Sequence, residues 1–247
     1  MYHWYTKTLY SLRDAGATGA HAGRRRIGVA TTVQRVKGVK RARPNQRVEA
    51  AEARRQRILA EAELLLAERG YSGFSLNVLV RRAGGSKASI AKFFGSKAGL
   101  IATVMQETAR AFAADVGRRA IDDDPEADLV RLGRAVLSFF LLPGALMAYR
   151  AVVGEGHRER EMAVAFYRTA RVTVVDAVAA RLQHWQAAGR LQLADVHAAA
   201  DRLTHLLRSG LHEQTVLGLR ARAPGPKEIE ASVVPAIREF LRGALRR

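Results

Sequence analysis

Between Ser86 and Gly95 lies an eight-residue stretch, Lys87–Phe94, whose polar side chains suit one particular chemistry. If the stretch is helical, Ile90 and Phe94 share one apolar face at i and i+4. Lys87, Ala88, Ser89, Ala91, Lys92 and Phe93 are then left on or beside the opposite face. Lysine and serine there can reach phosphate oxygens and base edges in a major groove. The rest of the chain offers little for bond-making chemistry. It has no Walker loop, no Gly-x-Ser-x-Gly elbow and no zincin motif, and without cysteine it has neither a thiol nucleophile nor a thiolate-ligated metal. Asp122, Asp123 and Asp124 stand just before Pro125, where an acidic run suits a solvated loop entering a helix N-terminus. His197 and His205 are eight apart and His205 and His212 seven, two turns along a helix and too distant for one helix to chelate an ion. With His157 they read as solvated or interface histidines. A chain that is not an enzyme, with no metal site and no cofactor, is the expectation.

The elements that must hold the Lys87–Phe94 stretch are legible on either side of it. From Val48 the pattern turns helical, with Ile58, Ala62, Leu65 and Leu66 on one face, and Gly70 supplies the left-handed stop. Ser75 is placed to cap a second helix, Leu76–Ala83, which ends at Gly84 and Gly85; Ser86 caps the third. Ser96 caps a fourth, carrying Leu100, Val104, Thr108 and Phe112 and running to about Arg118. Leu79 and Ala83 should pack on Ile90 and Phe94, closed by Ile58, Ala62 and Leu66, which is a helix-turn-helix. Further helices are expected from Pro125 to Pro143, over Ala145–Val153, from Arg160 to Ala188, from Asp195 to Leu219 and over Glu228–Leu245. No stretch alternates like a strand. The fold class is all-α, an N-terminal three-helix helix-turn-helix domain (residues 47–116) followed by a larger helical domain (117–247).

Charge supports a polyanionic partner. The formal net charge is +18, and residues 1–58 hold 14 of the 41 basic residues but only three of the 23 acidic ones. Residues 1–46 carry five glycines between Gly16 and Gly38 and a run of three arginines, Arg24–Arg26, a composition for a poorly ordered extension. It reads equally as a flexible arm along DNA or as an upstream extension with no role.

The run RRQRILAEAELLLAERGYSGFSLNVLVRRAGGSKASIAKFFGSKAGLIATV resembles the DNA-binding domain of TetR-family regulators. Arg69-Gly70-Tyr71, Ser75, Ala83-Gly84, Ser86-Lys87, Phe94, Ser96-Lys97 and Leu100 carry the resemblance, which covers roughly Glu52–Phe112. It implies a homodimer that places two third helices in neighbouring major grooves of a pseudo-palindromic operator, and a Lys97 that contacts phosphate. Three positions depart from the family pattern: Ala91 replaces a usual Tyr, Gly85 a Val and Val80 a small Ala. Loss of the Tyr contact is worth on the order of 1 kcal/mol of affinity.

The resemblance further implies that the C-terminal domain dimerises and binds an unknown small-molecule effector. Phe139, Phe140, Met147, Tyr149, Met162, Phe166 and Trp185 could line its apolar pocket. The same residues at helical spacing serve equally as plain core. Leu203, Leu206, Leu207, Leu211, Val233, Ile237, Phe240 and Leu241 in the last two helices are numerous enough for a dimeric four-helix bundle. The longest apolar stretch, around Ala135–Leu142, is too short to span a bilayer, so no membrane partner and a cytoplasmic location are expected. A ligand-responsive repressor is the leading reading and a non-specific nucleoid-type DNA binder the alternative.

Overall fold

The computed structural model describes residues 44–244, in two units that divide after Arg54. The basic stretch expected to be poorly ordered falls outside the described residues as far as residue 43, while Pro44 already opens a helix. That helix, α1 (Pro44–Arg69), runs from the first unit into the second. A proline suits a first helical turn because its absent N–H has no intrahelical partner there.

The helices that follow in the second unit are α2 (Leu76–Ala83), α3 (Lys87–Phe94), α4 (Lys97–Arg118), α5 (Pro125–Phe140), α6 (Pro143–Glu155) and α7 (Arg160–Ala165). After a π-helical turn, Phe166–Arg171, come α8 (Val172–Ala187), α9 (Val196–Arg208), α10 (Leu211–Val216) and α11 (Pro226–Ala244). Among the described residues there is no strand. The fold is all-α, a helix-turn-helix at the N-terminal side of a larger helical body.

Local chemistry fixes most boundaries. The Ser86 and Ser96 hydroxyls accept from the Ser89 and Gly99 amides at 3.2 and 2.9 Å, and Asp124 accepts from Ala127 at 2.8 Å to start α5. Ser75 stands at the start of α2 with extended backbone, but its side chain makes no capping bond, contrary to expectation. Gly70 closes α1 with φ +66°, and a Cβ there would lie 2.5 Å from Met147 Cε, so both conformation and crowding call for glycine. Two expected continuous helices are interrupted. The one from Asp195 breaks after Arg208 because Gly210 takes φ +67°, and the one from Arg160 widens into the π-helical turn.

Two apolar clusters hold the second unit together. One joins Ile58, Ala62, Leu66, Leu79, Ala83, Ile90, Phe94 and Leu100, each at most 8% exposed, so the helix-turn-helix core forms as anticipated. Ala148, Ala151, Met162 and Val174 complete it from beyond residue 117, which ties α3 to α6–α8 through continuous packing. The other joins α5, α8, α9 and α11 through Leu129, Val136, Leu182, Leu203, Val233 and Ile237. Of the apolar residues counted towards a dimeric bundle, Leu203, Leu207, Val233, Ile237 and Leu241 lie in this internal core, and Leu206, Leu211 and Phe240 are half-buried. The reason is geometric: α11 lies against α5 and α9, so its apolar stripe is already covered.

The α5–α11 contact is close because Gly133 has no side chain. A Cβ there would meet Val233 Cγ1 at 2.7 Å and Leu207 Cδ2 at 3.0 Å. Gly→Ala in a helix ordinarily stabilises by about 1 kcal/mol. Here crowding reverses the sign, and Gly133→Ala is expected to cost about 1–3 kcal/mol, read as a lower urea midpoint at unchanged helical circular dichroism. Among the described residues no single helix is long and apolar enough to cross a membrane; α5 and α6 pass together on length and composition but are bent by 66°.

Candidate nucleic-acid interface and the cleft behind it

The α3 surface is set by its buried half. Ile90 and Phe94 are 2% and 8% exposed, and this anchors the helix so that Lys87, Ala88, Ala91 and Lys92 face outward. Ser89 is half-buried and its hydroxyl lies 3.2 Å from that of Ser86. Phe93 is half-buried too, its ring edge-on to Phe94 at 6.0 Å, so it supports the helix as much as it presents a surface. Neither Lys87 nor Lys92 has a carboxylate within salt-bridge distance among the described residues, so both amines are available to an incoming anion. Ser75 lies at the other end of α2, half-buried.

Lys97 is held differently. Its Nζ donates to the Tyr71 carbonyl at 2.9 Å and sits 4.2 Å from the centre of the Tyr71 ring. Burial pulls its pKa below the usual lysine value, opposed by the charges of Glu159 and Glu155. One proton of the amine is therefore committed to the protein, and contact with a phosphate must use the others.

Two exposed cations of α2 escaped the sequence reading. Arg81 is exposed, whereas Arg82 is tied to Glu68 at 2.8 Å. Their place in the last turn of the helix that leads to α3 was the available signal.

Behind this face α1, α4, α5, α6, α9 and the π-helical turn enclose an apolar cleft. Phe139 and Phe140 of α5, Tyr149 of α6 and Phe166 of the π turn line it, with Leu66 of α1 and Val104, Met105 and Thr108 of α4. The free space is about 50 Å³, room for a few waters and well below the roughly 300–1,000 Å³ of ligand sites. Four of the seven expected pocket residues therefore meet here. The other three lie elsewhere: Met147 packs against Gly70, Met162 is fully buried in the core beneath the helix-turn-helix, and Trp185 donates to Asp128 at 2.9 Å. Wall residues that the sequence reading omitted are Glu63, Arg171 and Arg208. Their place beside an apolar stripe at helical spacing was the available signal.

Asp128 is the polar keystone of the neighbouring core. Fully buried, it accepts from Arg181 at 2.6 Å, Arg131 at 2.8 Å and Trp185, and from the Asp122 amide at 3.3 Å. A carboxylate so enclosed is sustained by this number of donors.

The histidines divide. His197 and His205 are exposed and lie near Asp176 and Asp201, and among the described residues no three potential ligands gather round a metal position. His212, expected to be solvated or at an interface, is instead 3% exposed, with its ring 5.8 Å from Phe140 and 5.5 Å from Tyr149. Burial, with Arg208 adding to it, pushes its pKa down to about 4. The unfolded chain then takes up the proton first, so His212 leaves stability unaffected above about pH 6.5 and lowers it as pH falls from there towards 4. Glu228, held at about 2 by the Gly225 amide and by Arg222 and Arg220, acts in a lower window, below pH 4.5. Urea midpoints measured between pH 7 and 4.5 are expected to fall in the wild type and to flatten in His212→Phe.

Sequence and structure comparisons agree with this geometry. Residues 58–104 match the family model described as bacterial regulatory proteins, tetR family, and residues 127–243 match the C-terminal domain of AefR-like transcriptional repressors. No curated protein matches the chain in sequence. A TetR-family regulator structure from Mesorhizobium loti superposes with TM-score 0.68 at 19% identity, covering 79% of this chain and 98% of its own. The flavonoid-responsive regulator FrrA gives 0.62 at 24% identity, over 79% and 99%. A TetR regulator from Agrobacterium tumefaciens gives 0.59 at 20% identity, over 79% and 96%. With its helix-turn-helix, its α3 surface and its helical C-terminal body in place, the chain belongs to the TetR family of transcriptional regulators.

Proposed function

We propose that this protein is a ligand-responsive repressor that binds a pseudo-palindromic operator as a homodimer, reading it with α3. The observation that carries this reading is the continuity between reading face and cleft. Leu66 of α1 and Val104 and Met105 of α4 are at once core of the helix-turn-helix and wall of the cleft. A small apolar molecule wedged among Phe139, Phe140 and Phe166 displaces α4, and with it the α3 of each subunit. The effector must favour one arrangement over the other, and operator DNA then disfavours effector by the same factor. Lys87, Lys92 and Lys97 serve the phosphates, and Ala88, Ser89, Ala91, Phe93 and Ser75 supply the close-fitting surface around them.

Fluorescence anisotropy on DNA from the gene's own upstream region, against a scrambled fragment at two salt concentrations, tests the operator claim. A regulator prefers its operator by about 10³-fold or more, with affinity falling as salt rises. Equal binding to both fragments would replace this reading by a general DNA coater.

A further inference from the structure

Arg208 enters the cleft from the last turn of α9 and has no carboxylate within salt-bridge distance among the described residues. Its guanidinium lies 4.9 Å from the ring centre of Phe140 and 4.6 Å from that of Tyr149, and its Nε is buried with no hydrogen-bond partner. His212, one short break further along, is packed against the same two rings, and its Nε2 is buried and equally without a partner. The other cation of the cleft is different: Arg171 is paired with Asp201. Glu63 lines the cleft as well, from α1.

Two buried nitrogens left unmet beside one pair of rings are costly in a folded chain, because buried polar groups are nearly always bonded. Stacking on the rings attracts the guanidinium but satisfies none of its N–H groups in their own plane. What would satisfy them is an acceptor with two oxygens and a negative charge, the partner that arginine's planar fork fits best. The remaining walls are almost wholly aromatic and aliphatic, so the rest of such a molecule is flat and apolar.

Resting on the effector-site reading above, we infer that the cleft takes an aromatic carboxylate, its carboxylate on Arg208 and its ring among Phe139, Phe140 and Phe166. The free space holds only a few waters, so a one-ring acid enters by displacing phenylalanine side chains.

Isothermal titration of the full-length protein with cinnamate and its uncharged counterpart cinnamamide tests this, with acetate as the control for charge alone. Cinnamate is expected to bind at least tenfold more tightly than cinnamamide, and acetate not at all. Arg208→Gln should weaken cinnamate tenfold or more while leaving cinnamamide within twofold, and Arg208→Lys should restore part of the loss. The comparison between acid and amide on the wild-type protein needs no variant, so a poorly folded Arg208→Gln does not blunt it. Equal affinity for acid and amide, or cinnamate binding that survives Arg208→Gln, overturns the anion site. Amide binding without acid binding overturns it too but leaves the cleft as an effector site, whereas failure of both aromatic probes removes the support for either.

Discussion

Asp128→Ala is expected to lower the thermal midpoint by about 10 °C. The substitution removes the carboxylate that pairs with Arg181, which is 7% exposed, and strands the Trp185 N–H in the core at the same time. Removing one partner of a buried ion pair costs about 3–5 kcal/mol, and in a chain of this size each kcal/mol moves the midpoint by about 2–4 °C. Asp128→Asn keeps an acceptor for Trp185 but loses the charge, so its effect should fall between. The double replacement Asp128→Leu with Arg181→Met exchanges the pair for apolar packing and should recover most of the loss. Thermal denaturation followed by circular dichroism separates the cases. A midpoint within about 2 °C of wild type for Asp128→Ala, smaller than a single kcal/mol, would show that the network is solvated and carries no stability.

Lys92→Glu is expected to weaken operator binding on the order of 100-fold while leaving the fold untouched. Lys92 is exposed on α3 and has no ion pair among the described residues, so reversing its charge breaks nothing inside the protein. On the proposed function it exchanges a charge-assisted contact with DNA, worth about 1.5–3 kcal/mol, for repulsion from the backbone, and the proposed dimer carries the change twice. Losing a phosphate contact also flattens the dependence of log K on log salt by about one unit per contact. Anisotropy titrations at several salt concentrations, beside a thermal melt, check both halves of the expectation. An unchanged operator affinity would move the reading surface off α3.

The helix-turn-helix was legible because its punctuation is chemical. Gly70, Gly84, Ser86, Gly95 and Ser96 each force or cap a boundary within a few residues, and α2 and α3 begin and end where those residues require. The C-terminal body is less legible because packing, not local chemistry, decides it. Apolar side chains at helical spacing on α9 and α11 look the same whether they face a neighbour in the chain or a second copy. The approach of α11 to Gly133 shows that Val233 and Ile237 face inward. Asp128 drew no notice because Arg131, three residues on, makes it resemble an ordinary surface pair; Arg181 and Trp185 arrive from more than 50 residues away. The π-helical turn carries no marker at all, although it sets Phe166, Ala170 and Arg171 against the cleft.

The tightness of that cleft has a kinetic and energetic corollary. With about 50 Å³ of free space, the cleft as it stands is too small for a ring-sized guest, which binds only the fraction of molecules whose phenylalanines have swung aside. Its measured dissociation constant is the intrinsic one divided by that fraction. Trimming a wall, as in Phe139→Ala, should therefore tighten binding even though it deletes contacts, and should make the protein release DNA at lower effector concentrations. On the function proposed above, sensitivity is set by how rarely the interior opens, and the response threshold can shift without a change in any residue of α3.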